Sequence, residues 1–331
     1  MKQFTGTEYL YIDIANQYGL DKENWDTRID WTKQHLNDLE TFAKDLDDPF
    51  LYIKAVKALR DTQAGIETGF IMGLDACSSG VQILSALTNC SIGAANCGLI
   101  DTGSREDFYT NVTTEMNRLL NAGNQWARSI VKDAAMTVLY GSKKEPILAF
   151  GKDTPELAAF YKAMTNLAPG AMKAMIVIQN QWQIDATEHC WTMPDGHKVI
   201  AKVIIDCDKR IEVDEFHHAT FTHRSYINAP DPDGLGLAAN ITHSIDGWIV
   251  REMLRRTNAA GFEMAAIHDS FWCHPNNMNH VRQFYLDIMR EIVKSSMLPD
   301  ILSEIRGYQG SMMRNDPKLS TKMLTAEYAL S

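Results

Sequence analysis

Gly69-Phe70-Ile71-Met72-Gly73-Leu74-Asp75-Ala76-Cys77-Ser78-Ser79-Gly80 is the stretch on which the reading of this chain turns. An apolar run of strand length ends on a carboxylate. The pattern predicts a buried strand over 69–75 closed by an Asp that burial would penalise by several kcal/mol unless something compensates it. It recurs at Met264-Ala265-Ala266-Ile267-His268-Asp269, which predicts a second strand over 263–269. Asp75 and Asp269 are 269 − 75 = 194 positions apart, so only folding brings them together. Two carboxylates at adjacent strand ends can hold two Mg²⁺ ions about 3.5–4 Å apart, the arrangement that clamps the attacking and leaving oxygens of a phosphoryl transfer. Mg²⁺ keeps several waters and takes few protein carboxylates, so two Asp suffice. The plainer alternative is that each Asp caps a turn.

Between the two lies Arg128-Ser129-Ile130-Val131-Lys132, running on to Tyr140-Gly141-Ser142. Arg128 and Lys132 are an i,i+4 pair on one helix face, and Met136 and Tyr140 continue the stripe. Fixed cations of this kind neutralise charge developing on a leaving pyrophosphate; the alternative is a solvated face. His268 precedes Asp269, and in a strand its side chain would point to the other face. That removes it as a ligand of the same metal and leaves it to support primer-strand phosphates. His243 sits near a helix start in Thr242-His243-Ser244-Ile245-Asp246-Gly247.

The chain has 331 residues, 45% hydrophobic and 22% charged, enough for a large core or two to three subdomains. No apolar run spans a bilayer and the start has no secretion-signal pattern, so a cytosolic protein is expected. The six cysteines form no C-x-x-C pair and read as reduced thiols. His189, Cys190, His197 and Cys207 match no compact zinc module. A net charge of −10 argues against indiscriminate nucleic-acid binding. Binding depends on local charge, however, and residues 126–144 hold Arg128, Lys132, Lys143 and Lys144 against Asp133 alone among the acidic residues up to Lys144.

Periodicity predicts helices over 30–66, broken at Asp47-Asp48-Pro49, and over 80–88, 104–121, 124–140, 155–168, 170–186, 238–259 and 276–295. Residues 190–221, rich in β-branched side chains around Pro194-Asp195-Gly196, read as hairpin structure. Helices interleave with a few short strands without βα regularity, which makes the fold class α+β.

At this point the chain resembles a family, the bacteriophage T7-type single-subunit DNA-directed RNA polymerases. The Asp75 segment resembles their motif A, Arg128 to Ser142 their motif B helix, and His268-Asp269-Ser270 their motif C. Thr242-His243-Ser244-x-Asp246-Gly247 resembles a further signature. Trp191-Thr192-Met193-Pro194-Asp195-Gly196 resembles the start of their specificity hairpin, and Ala326-Glu327-Tyr328-Ala329-Leu330-Ser331 their aromatic tail. The family's T/D-x-x-G-R motif upstream of motif A is not found. The chain is therefore similar to the larger, catalytic subunit of the split two-subunit RNA polymerases of N-four-like phages.

The resemblance implies a right-hand polymerase lacking the N-terminal domain and thumb. It implies an N-terminal helical part of the palm and partner interface at 1–66, palm with motif A at 67–91, fingers at 92–240 with the hairpin near 190–225, and palm with motif C at 241–331. Asp75 and Asp269, with the Ala76 carbonyl, would bind two Mg²⁺. Arg128 and Lys132 would hold the triphosphate, Lys132 also protonating the leaving pyrophosphate. Tyr140 would check the ribose 2′-OH, and His243 would contact the nascent pair or template. Asp133 departs from the family, where the phage enzymes commonly carry a second basic residue. Related DNA polymerases place a Glu five positions after the first Asp; Gly80 stands there and leaves room for a 2′-OH. The partners implied are a second polymerase subunit, DNA template, RNA product, ribonucleoside triphosphates and a phage DNA-binding recruitment factor, in the cytoplasm of an infected bacterial host. The alternatives are a polymerase-like scaffold or regulatory subunit without activity, and a fragment of a related DNA polymerase.

Overall fold

The computed structural model describes residues 1–47, 49–121, 125–307 and 315–331. Helices and small antiparallel sheets alternate along the chain, and the fold class is α+β. The strands are β1 (Met72–Asp75), β2 (Glu188–Thr192), β3 (Lys198–Lys202), β4 (Ile204–Val213), β5 (Ala219–Asn228), β6 (Met264–Ile267) and β7 (Ser270–Cys273). One sheet has the order β1-β7-β6, so the strand nearest the start pairs with strands from the far end of the chain. Met72, Leu74, Phe271 and Cys273 form its buried face, with the helices Gly6–Ala15 and Met278–Lys294 packed against β1 and β7. The period of two that buries these four turns Gly73, Asp75, Ser270 and Trp272 to the opposite, open side.

Several boundaries differ from the sequence-based expectation. The helix expected over 104–121 begins at Phe108, because Asp107 caps it by accepting the Tyr109 N–H. The one expected over 124–140 runs Arg128–Val138; Asn124 lies outside the described residues. The second strand ends at Ile267 rather than 269, and β7 follows it as a tight hairpin. Residues 190–221 hold parts of two hairpins, one of which turns at Pro194-Asp195-Gly196 as read from the sequence. A first helix, Gly6–Ala15, was not anticipated, although Thr5 and Glu8 form a capping box that marks its start.

The hairpin β2–β3 packs onto the body through buried Trp191, whose indole N–H donates to Ser244 Oγ at 3.0 Å. The ribbon β4–β5 pairs over ten residues a side and has no buried residue. All six cysteines are unpaired. Among the described residues, no helix is long and apolar enough to cross a membrane.

The C-terminal segment closes the sheet. The Cys77 N–H donates to the Ala329 carbonyl at 3.3 Å and the Ser331 N–H to the Asp75 carbonyl at 2.9 Å, so the tail lies along the outer edge of β1. Two buried arginines hold it. Arg282 donates to the Glu327 carbonyl and to the Tyr9 hydroxyl. Arg28 donates to Ser331 Oγ at 2.9 Å while lying over the Trp25 ring. Burial draws the Arg28 guanidinium down to about 10, and its carbonyl and hydroxyl acceptors keep it satisfied. Buried Gln82 ties the same parts together. Its amide donates to the carbonyls of Cys97 and Ala329, and its oxygen accepts the Tyr285 hydroxyl at 2.6 Å. Gln82→Ala leaves the Cys97 carbonyl and the Tyr285 hydroxyl unsatisfied in a dry site and the Ala329 carbonyl with the Cys77 amide alone. It should therefore cost about 2–4 kcal/mol in urea unfolding; a loss within about 0.5 kcal/mol would show that the tail is not held this way.

Candidate active site

Asp75 ends β1 opposite Ser270, and the N–H of the next residue, Ala76, donates to the Asp269 carbonyl at 3.0 Å. This bond brings the two aspartates alongside each other across 194 positions, the difference between 269 and 75. Asp269 is not in a strand. With His268 it forms the two-residue turn from β6 to β7, and His268 takes φ +55°. Two-residue hairpins demand such left-handed backbone, which a β-branched residue would resist. The strand alternation expected to turn His268 away from Asp269 therefore does not apply.

The expected burial of these aspartates is also corrected. Asp75 is exposed and Asp269 half-buried. Asp75 is on the open side of the sheet and Asp269 on the turn beside it, so neither is enclosed in the core. The donors gathered here are carboxylate and carbonyl oxygens, the hard set that Mg²⁺ prefers. Asp75, Asp269 and the Ala76 carbonyl thus fit that ion.

The cations come from the helix Arg128–Val138. Tyr109, from the helix Phe108–Leu120, sits 5.8 Å from the Arg128 guanidinium and 6.0 Å from the Lys132 ammonium, ring centre to charge. Burial raises the Tyr109 phenol, and the nearby Asp269 charge adds to this, while a hydrogen bond with Ser78 opposes it. Tyr109 therefore joins the carboxylate side of the site to the cation side. Arg128 is not free: Nε donates to Asp107 Oδ2 at 2.7 Å and Nη2 lies 2.6 Å from the same oxygen. Burial works against the Asp107 carboxylate, but hydrogen bonds from Thr110 and Arg128 outweigh it and hold the group below its usual range. Asp133 is exposed and lies about 100° round the helix from Lys132.

Tyr140 follows the helix. Its ring lies 4.8 Å from that of His243, and its hydroxyl interacts with Ser79. A Cβ on Gly80 would stand 3.6 Å from that hydroxyl. Glycine thus keeps the space beside Tyr140 open, and a Glu there would fill it. Burial first, then the charge of Asp246, raises the Tyr140 phenol, which stays neutral at ordinary pH. A cleft of about 700 Å³ opens on the other side of Tyr140, lined by Gly141, Lys143, Lys144, Leu148 and Leu235. The structure thus sets Asp75 and Ala76 beside the Asp269 turn and Tyr140 against Gly80 and His243, with Tyr109 near Asp269, Arg128 and Lys132. His268 is exposed on the turn itself.

Three contributors were not singled out from the sequence: Asp107, Tyr109 and Asp246. The first two act through tertiary contacts that no local pattern announces. Asp246 had a signal, standing three residues after His243 on one helix face. Its carboxyl is raised to about 6, chiefly by burial and then by the like charge of Asp269, with His268 opposing. Among the described residues, one group of three ligand atoms lies within 4.8 Å of one another: Glu212, Asp214 and His218, all exposed. They are at the tip of the β4–β5 ribbon, where His218 Nδ1 lies 2.9 Å from Glu212 Oε1 and 3.3 Å from Asp214 Oδ1.

The unfolded chain titrates Asp246 near 3.8 and the folded chain at about 6. The folded state therefore binds that proton more tightly and loses relative stability as pH rises through this window. Asp246→Asn should raise the stability of chelator-treated protein by about 1–3 kcal/mol at pH 8, and by progressively less toward pH 4. Urea midpoints across that range check it; an equal gain at both ends would refute the cause given.

A family model described as DNA-dependent RNA polymerase matches residues 3–149 and 156–329. The chain is 22% identical over 344 residues to the DNA-directed RNA polymerase of Pseudomonas phage phiKMV, an alignment covering 85% of this chain and 42% of that protein. Against the DNA-directed RNA polymerase of Enterobacteria phage T3 the identity is 24%, covering 82% of this chain and 41% of the relative. Against the mitochondrial DNA-directed RNA polymerase 1 of Arabidopsis thaliana it is 22%, covering 91% and 37%. The chain spans about two fifths of the length of these relatives.

Proposed function

Because the chain belongs to the DNA-dependent RNA polymerase family, we propose that it is the catalytic part of a template-directed RNA polymerase, with palm and fingers in this polypeptide. The observation that carries this reading is the Ala76 N–H to Asp269 carbonyl bond, which ties the end of β1 to the turn between β6 and β7. Asp75, Asp269 and the Ala76 carbonyl would hold two Mg²⁺, which when bound supply charge neutralisation at the reacting phosphate. Arg128 and Lys132 bind the triphosphate. Asp107 fixes the guanidinium fork in place before substrate arrives, so little reorganisation is needed on binding. Lys132 would hand a proton to the leaving pyrophosphate.

Tyr140, a neutral donor above Gly80, reads the ribose 2′-OH, and His243 beside it bears on the nascent pair or template. The cleft beyond Tyr140, with Lys143 and Lys144 on its wall, receives the template strand. His268, exposed on the turn, faces the primer.

A second polypeptide is the protein partner that this reading implies. What supports a protein partner is the helix Pro49–Gln63, where Ile53 is 49% and Leu51 40% exposed beside a cavity of about 400 Å³ lined by Tyr52, Ile53 and Val56. Apolar exposure of this kind marks contact surfaces. The stretch near 190–225, which takes in most of β2–β3 and β4–β5, would serve as the specificity-type hairpin. A phage host cytoplasm is the setting this reading implies.

Extension of a primed RNA–DNA hybrid tests the chemistry. Asp75→Asn or Asp269→Asn should cut nucleotide addition by about 10²–10³-fold or more. The fold should stay intact, because Asp75 is exposed, Asp269 is only half-buried, and surface substitutions shift stability by about 0.5 kcal/mol. Extension near the wild-type rate by either variant would remove that aspartate from the chemistry and overturn the two-metal reading. Tyr140→Phe should keep much of the ribonucleotide rate and relax ribose selection about fivefold, the loss of one polar contact worth ~1 kcal/mol. An unchanged preference between ribo- and deoxyribonucleotides would remove that role from Tyr140.

A further inference from the structure

The open face of the sheet carries a feature that holding a metal does not use. Trp272 stands in register between Gly73 and Ala265, two of the smallest residues available. A Cβ on Gly73 would lie 2.4, 2.6 and 2.8 Å from Cε2, Cδ2 and Nε1 of its indole. So even an approach to three ring atoms means that the ring lies across Gly73 with a face, not an edge. Two polar atoms of the same strand, Ser270 Oγ and Trp272 Nε1, are buried without a hydrogen-bond partner. Groups of this kind are costly and uncommon in a folded protein, and two on one strand next to a carboxylate pair point to an acceptor that the isolated chain lacks. Ile267 is 63% exposed on the same face.

An occupant of this face has to satisfy three conditions. It carries its reacting end to Asp75 and Asp269. It tolerates an aromatic and aliphatic floor. It offers hydrogen-bond acceptors to neutral donors, since none of Gly73, Ser270, Trp272, Ala265 and Ile267 is cationic. A triphosphate meets the first condition and fails the second. The sugar and base-edge side of a nucleic-acid strand meets all three, because ribose presents apolar C–H surface and base edges present acceptor atoms. The Gly73–Trp272 row lies two residues from the Asp75–Ser270 row, about 7 Å at a strand rise of ~3.3 Å, roughly two base steps of 3.4 Å.

We propose that Trp272 is a positioning residue for the growing RNA strand, its indole bearing on the ribose and base edge of the nucleotides just behind the 3′ end. The Ser270 hydroxyl and the indole N–H gain acceptors from that strand as the ring re-seats on it. The strand is thereby fixed in line with Asp75 and Asp269. This rests on the polymerase reading and adds a residue to it.

The test uses the polymerase in its active assembly and a primed RNA–DNA hybrid without nucleotide. Tryptophans are replaced by 5-fluorotryptophan, and the Trp272 fluorine resonance is assigned by its absence in Trp272→Phe. Hybrid binding is followed independently by anisotropy. The resonance should shift on hybrid addition and stay put on addition of nucleoside triphosphate alone. In extension assays, Trp272→Ala should weaken the half-saturating hybrid concentration about tenfold, within the range set by loss of one aromatic contact to a nucleotide. The KM for nucleotide at saturating hybrid should be unchanged, and Trp272→Phe should recover most of the loss. Hybrid binding with an unmoved Trp272 resonance would overturn this inference alone. A resonance that shifts instead when the partner polypeptide is added would assign the face to protein contact and overturn it as well. Absence of any hybrid binding would overturn both this inference and the polymerase reading.

Discussion

The site depends on one act of strand pairing. β1 and β7 lie nearly two hundred residues apart in the chain, yet Asp75 is registered against Ser270 and the Ala76 amide is bonded to the Asp269 carbonyl. Neither aspartate is held by its own side chain. Each is placed by backbone, and the backbone is placed by the buried face of the sheet, Met72, Leu74, Phe271 and Cys273. The tail adds a second constraint on the other edge of β1, where the Ser331 amide takes the Asp75 carbonyl. Asp75 is thereby fixed from both sides, and the fixing elements come from three distant parts of the chain. Loop-closure entropy makes such long-range pairing expensive, and the Gln82, Arg28 and Arg282 networks are where the fold offsets it.

The opposing half of the site is organised by charge. A protein of net charge −10 would repel a polyphosphate at long range. Arg128 and Lys132 answer this locally, but a lone guanidinium on an exposed helix would sample many rotamers. Asp107 removes that freedom by binding Nε and Nη2 together. Part of the positive field is spent in doing so. What remains is a directed fork beside Lys132, with Tyr109 as a common wall. Orientation gained at the expense of net charge is the same trade that preorganised donors make in other sites that stabilise developing anions.

Much of this was legible in the residues and part was not, for separable physical reasons. The apolar runs before Asp75 and Asp269 announced the sheet, and the i,i+4 cations announced the helix, because both signals are local periodicities. The turn at His268–Asp269 was hidden because its residues continue the look of a strand. Only a positive φ, which sequence marks weakly outside glycine, separates turn from extension there. Asp107 and Tyr109 were invisible because their roles exist only once two helices touch. The burial expected for Asp75 failed through parity. A run of apolar residues does not say that both faces are covered, and here Gly73 and Trp272 alternate with the core-facing positions.

That parity also explains why the carboxylates need no compensation inside the protein. Had β1 been covered on both faces, Asp75 would have required a buried cation or a proton, and either would have occupied the ligand's place. An open sheet face removes the demand. Asp246 shows the contrast within the same site. It is the more enclosed group, its carboxyl is pushed up to about 6, and Asp269 beside it contributes to that rise. Asp246 is thus set apart by its burial and by the like charge of Asp269 together, and both bias it toward keeping its proton. The side of the sheet on which a residue falls, decided by a single step in register, sets which chemistry it can enter.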